Sequence, residues 1–182
     1  YLTEKEKKEI MSEGFNSYTH DFLLRRQNEL SYNSINNTGL YNKDENLLFP
    51  IEKYFLDLEY KCGEAFCIDK KTGNRLPIPD EQRWCFYVAK DSDTLRTIGS
   101  EMSNCVGWGY KDSVYSTRAT IVYALYKKQY KICIEVTPSF SVRQAFGPHN
   151  TQLNGEAFEA YSEWCKEKGI VRQNVFSVRA AP

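Results

Sequence analysis

Residues 119–146 read ATIVYALYKKQYKICIEVTPSFSVRQAF, and the fold turns on how this stretch is divided. ATIVYALY is a continuous apolar run, KKQ is a polar break, and YKICIEV is a second run. In the second arm Tyr130, Ile132, Ile134 and Val136 alternate with Lys131, Cys133 and Glu135, the period of two that a strand with one covered face requires. The two arms are therefore expected to form a hairpin. After TPS a third strand, FSVRQAF, extends it into a meander.

Working outward, DTLRTIGSEMSN (93–104) has helical spacing, with Leu95, Ile98 and Met102 on one face and Asp91 or Asp93 placed to cap it. Upstream, RWCFYVA is a short apolar strand, and EAFCIDKKTGNRLPI is a strand, turn and return. PIEKYFLDLEYKCG places Pro50 at a first helical position and Ile51, Tyr54, Phe55 and Leu58 on one face, so a helix that starts at Pro50 and ends before Gly63 is expected. Thr3 with Glu6, and later Thr19, open two further helical stretches before an Asn- and Ser-rich connector. Downstream, GPHNTQLNG is a loop. EAFEAYSEWCKEKG is a helix with an apolar stripe of Ala157, Phe158, Tyr161, Trp164 and Cys165, ended by Gly169. The sum is an α+β fold: an antiparallel β-meander covered by helices, with an N-terminal helical arm. Residues 1–62 read as the helical region and 63–182 as the α+β domain.

The 182 residues suffice for one real core, and 41% hydrophobic residues suit a folded chain. Lys plus Arg equals Asp plus Glu at 24 each, so no global field draws the molecule to nucleic acid. No apolar run reaches membrane-spanning length, and the opening YLTEKEKKEIMSEG is too charged for a secretory signal. A cytoplasmic protein without a membrane partner is the expectation. The six cysteines lie mostly in apolar stretches and form no C-x-x-C pair, and His20 and His149 are the only histidines. Packed, reduced thiols are expected, with no metal and no cofactor.

The stretch from about Phe86 to Gly169 contains, in order, IGSEMSNCVG, the pair ATIVYAL and YKICIEV, then VRQAFGPHN, and finally AYSEWCKEKG. This order of signatures resembles the PcfJ-like family of conjugative plasmids and phage-like elements. The resemblance implies a mobile-element lineage and draws attention to Glu135. The chain departs from the family at Asn104, where the pattern carries a His before Cys-Val-Gly; an amide cannot take up a proton as imidazole does.

Two readings of the candidate site stay open. In one, Cys105 is a nucleophile, with Glu135 and His149 as the other catalytic groups of a transferase or hydrolase acting on a nucleotide-like ligand. Against it, Cys105 follows a helix C-terminus, where the macrodipole disfavours a thiolate, and neither neighbour is cationic. The blander alternative makes Cys105 a buried plug in a tight turn, with Asn104 capping the helix end. Glu135 is either a surface carboxylate or, if helices cover it, a buried one needing Arg118, Arg143 or Arg96. Gln144, Gly147, His149 and Asn150 offer amide, backbone and imidazole edges to a ligand, or simply make a turn. In the other reading the domain binds a nucleic acid or protein partner through a polar pocket formed by Asn104, Cys105, Glu135, Gln144 and Asn150. Trp84, Phe86, Trp108, Tyr110 and Trp164 are expected to be core and lid packing rather than base-stacking platforms. The lysine pairs 70–71 and 127–128 fall at hairpin tips, which solvation explains and which phosphate contact would also suit.

Overall fold

The computed structural model describes residues 46–51 and 53–172. The helices expected near Thr3 and Thr19, and the arm they would form, lie outside the described residues.

The decisive hairpin is present as β5 (Thr120–Tyr126) and β6 (Gln129–Val136). Its turn is tighter than the sequence suggested. Gln129 pairs with Tyr126, leaving only Lys127 and Lys128 between the strands, both with positive φ (53° and 62°). Two left-handed residues give a turn whose twist matches that of the strands. Around the hairpin, β7 (Ser141–Phe146) pairs with β6, and β4 (Cys85–Val88) pairs with β5. The short strands β1 (Tyr60–Lys61) and β8 (Val171–Arg172) close the edges. Among the described residues this gives a six-stranded sheet in the order β1-β4-β5-β6-β7-β8, antiparallel except for the β7–β8 pair. β2 (Phe66–Ile68) and β3 (Arg75–Pro77) form a separate exposed ribbon, the expected strand, turn and return.

The helix expected to start at Pro50 and end before Gly63 is much shorter. Among the described residues of this stretch only α1 (Lys53–Leu56) is helical, and Tyr60 and Lys61 instead pair with Phe86 and Cys85 at the sheet edge. The i, i+3 spacing of Phe55 and Leu58 still buries both, because a single turn is enough to aim them at the core.

Helices cover both faces of the sheet. On one lies α5 (Gly155–Lys168), whose Ala160, Tyr161, Trp164 and Cys165 pack with Phe55 and Leu58 on Phe86, Val88, Val122, Ile132, Ile134 and Val136. Trp164 has no exposed surface. Its ring stacks on Phe86 at 5.4 Å, and its indole N–H donates to the Leu58 carbonyl at 3.0 Å. Burying an indole in this way is worth ~3–5 kcal/mol against alanine. On the other face lies α2 (Ser92–Met102), capped by Asp91, whose carboxylate accepts from the Thr94 amide at 2.7 Å. Its Leu95, Ile98 and Met102 pack with Val106, with Val114 of the short helix α4 (Lys111–Tyr115), and with Ile121. A row of tyrosines, Tyr87, Tyr123 and Tyr130, crosses β4, β5 and β6 on this side, with neighbouring rings 5.6 Å apart.

Tyr130 is thus on the opposite face from Ile132, against the strict alternation read from the sequence. The register shifts between Ala124 and Leu125: Ala124 pairs with Ile132, whereas Leu125 pairs with Tyr130. Lys131 is an unpaired extra residue, a bulge that turns Tyr130 over to the α2 side.

Candidate functional site

The NCVGWGY heptad (104–110) begins where α2 ends. Ser103 takes a left-handed conformation (φ 51°), and the amide of Asn104 donates to the Gly99 carbonyl at 3.1 Å. Contrary to the expectation from sequence, the Asn104 side chain does not cap α2. Its Oδ1 accepts from the Val106 amide at 3.1 Å and so starts the next helix, α3 (Val106–Gly109). The two helices meet through glycines. A Cβ on Gly99 would stand 2.7 Å from the Gly107 nitrogen, and one on Gly107 would stand 3.2 Å from the Arg96 Cα. The glycine spacing therefore exists to let two backbones touch.

This packing corrects two expectations. Cys105 is exposed at the start of α3, not buried as a plug. Trp108 is 83% exposed, not core or lid. The reason is local: Val106 is the buried residue of this four-residue helix, and Trp108 lies two positions further round. Of the other aromatics, Phe86 and Trp164 are buried as expected, while Trp84 and Tyr110 are half-buried.

Glu135 is covered by the helical layer and only 4% exposed. Its Oε1 accepts from Arg143 Nη1 at 2.7 Å, and its Oε2 accepts from the Tyr110 hydroxyl at 2.9 Å and from Gln144 Nε2 at 2.8 Å. Gln144 also donates to the Tyr110 hydroxyl. That adjacent residues 143 and 144 both reach one carboxylate requires explanation, since neighbours on a strand point to opposite faces. A second register shift supplies it. Glu135 pairs with Gln144, but Val136 pairs with Val142, so Arg143 is the bulged residue and is re-aimed towards the acid. Of the three arginines considered as partners, Arg143 is the one used. Arg118 donates to the Ser116 hydroxyl, and Arg96 pairs with Asp93.

The electrostatics follow the packing. Burial, and then the Glu135 carboxylate, push the Tyr110 hydroxyl up to about 12, so it remains a donor. Cys133, on the strand beneath the bend, is pushed up to about 12 by burial, which outweighs the lowering influence of the Asn104 side chain. An electrostatic contribution from Cys105 reaches both groups. Asn104, Cys105, Tyr110, Cys133, Glu135, Arg143 and Gln144 thus form one neighbourhood.

The loop after β7 behaves differently. Gly147 is buried, and its amide donates to the Thr151 carbonyl at 2.8 Å; a Cβ there would lie 2.9 Å from Thr151 Oγ1. His149 and Asn150 hold left-handed conformations (φ 58° and 56°) in a short 3-10 turn that packs against α2. Among the described residues no hydrogen bond ties His149 or Asn150 to Cys105 or Glu135. No group of three or more His, Cys, Asp or Glu among the described residues is arranged to hold a metal ion.

As chemistry, the network fixes one side chain in place. The Glu135 carboxyl faces one guanidinium and two neutral donors, an arrangement that fixes its geometry. Sequence reasoning named Glu135, Gln144 and Arg143 but missed Tyr110 as the third donor. It had no signal for the bulge that brings Arg143 round. Compared with known proteins, the chain matches no family model, no curated protein and no solved structure. Among the described residues no helix is long and apolar enough to cross a membrane.

Proposed function

We propose that the chain is a cytoplasmic accessory domain of mobile-element or phage-related lineage that docks a protein partner on the α3 face, with Trp108 at the centre of contact. The observation that carries this reading is the 83% exposure of Trp108 on a helix held against α2 by the Gly99–Gly107 contact. An indole presented on rigid backbone binds with little ordering cost, and tryptophan is among the residues that dominate interface energies. Below it, the bonds from Tyr110, Arg143 and Gln144 to Glu135 brace the same corner. The lineage is supported by the order of the four signatures, which fall on α2–α3, β5–β6, β7 with its following loop, and α5. A reducing compartment is supported by six free thiols, four of them buried.

A thiol or carboxylate enzyme is the weaker reading. Glu135 is already engaged by three donors, and no hydrogen bond joins His149 to Cys105 among the described residues.

The test is capture of partners from the native host by the immobilised full chain, comparing wild type with Trp108→Ala. A partner retained by wild type and lost from the variant, at unchanged thermal midpoint, is the expected result. Capture of the same partners by both forms would remove Trp108 from the interface. Loss of a biological readout on Cys105→Ser, with the fold and capture intact, would favour the enzyme instead.

A further inference from the structure

The opposite side of the hairpin carries a second feature. Between the end of the β5–β6 hairpin, the loop after β7 and the start of α5 lies an open groove of about 570 Å³. That is within the size range of small-ligand sites. Trp84 and Tyr126 line it, stacked at 4.9 Å with their planes 6° apart. Two cations line it as well, Lys127 and Lys131. Lys127 rests over the Tyr126 ring, 5.4 Å from its centroid, and neither lysine is ion-paired among the described residues. The adjacent Lys128, in contrast, is bound to Glu81 at 2.7 Å. Gln129 and Gln152 add amide groups, and Glu156 is the one acidic side chain in the lining, leaving a net positive charge.

We propose that this groove binds a nucleotide, with the base joining the Trp84–Tyr126 stack and the phosphate held by Lys127 and Lys131. Two aromatic rings already in parallel register give a planar heterocycle a surface that every base fits. A lysine held only over a ring face can swing to a phosphate without breaking an ion pair. Lys131 reaches the groove because it is the bulged residue of β6, on the α5 side of the sheet and away from the tyrosine row. Gly147 is part of the lining, and a side chain there would collide with Thr151, which lines the groove beside it. This site is separate from the α3 face, so either can fail without the other.

Two sources offer the same chemistry, a free nucleotide and a nucleotide within a single strand. The full chain is titrated with adenosine 5′-monophosphate and, separately, with a fluorescently labelled oligothymidylate of about eight nucleotides, at low and at high salt. At least one probe is expected to bind at low salt, weaken as salt rises, and lose ~10-fold or more in affinity in Lys127→Ala/Lys131→Ala. Tighter binding of the oligonucleotide assigns the groove to a single strand, and equal or tighter binding of the monophosphate assigns it to a free nucleotide. Trp84→Leu supplies a second variant that leaves both lysines in place, and it is expected to weaken the same probe. Binding of neither probe, or binding that all these variants leave unchanged, overturns the proposal.

Discussion

Removing the guanidinium of Arg143 leaves the Glu135 carboxylate buried with only neutral donors, so the two residues are coupled. Arg143→Met is expected to cost about 1–3 kcal/mol, towards the low end because the arginine side chain is 58% exposed and partly screened by water. Glu135→Gln should cost less, since the guanidinium it abandons can turn to solvent. The double variant should lose clearly less than the sum of the two single ones, measured as urea unfolding free energies. Strict additivity would show that acid and base do not depend on each other. Tyr110 sharpens the point at the same scale: its hydroxyl, held protonated by burial and by the neighbouring acid, has no reason to ionise at any physiological pH.

At the scale of elements, the contact between α2 and α3 is set by backbone alone. A methyl on Gly99 meets the nitrogen and Cα of Gly107, neither of which can rotate away. Gly99→Ala is therefore expected to destabilise by about 1–3 kcal/mol through forced separation of the helices. Gly109→Ala, where nothing lies within 4 Å, should be nearly neutral. Chemical denaturation of the two variants side by side checks this, and equal midpoints would contradict it. Here, too, lies the division between what periodicity reveals and what it hides. The hairpin, the inner face of α2 and, apart from the exposed Phe158, the stripe of α5 were legible because each is a local repeat of apolar residues against one surface. The bulges at Lys131 and Arg143 were not, because a bulge is decided by the partner strand. No local pattern announces that one residue has no opposite number. Trp108 was misread for a related reason: a large apolar residue is expected inside, and only the short length of α3 turns it out. The helix from Pro50 failed because pairing of Tyr60 and Lys61 with β4 outweighed a helical pattern of moderate length.

For the molecule as a whole, buried thiols tie stability to alkaline pH. Burial pushes Cys62 and Cys133 up to about 12 and Cys165 up to about 11, from an ordinary value near 9. A raised folded value means that the native state holds the proton more tightly than the unfolded chain. The associated stability is thus intact below about pH 9 and is lost as pH climbs towards 11 to 12. Thermal midpoints are expected to be flat up to about pH 9 and then to fall, and the fall should be shallower in Cys62→Ala/Cys133→Val/Cys165→Val. The same decline in both forms would assign it to other groups, the buried tyrosines first. The spare residue in β6 has a different consequence. Loss of a single codon inside a strand normally inverts every side chain beyond the cut. Lys131 has no pairing partner, so its excision would let Tyr130 and Ile132 alternate directly and keep their present sides. The strand can be shortened there without being turned inside out, which leaves the length of this hairpin free to drift where other central strands are frozen.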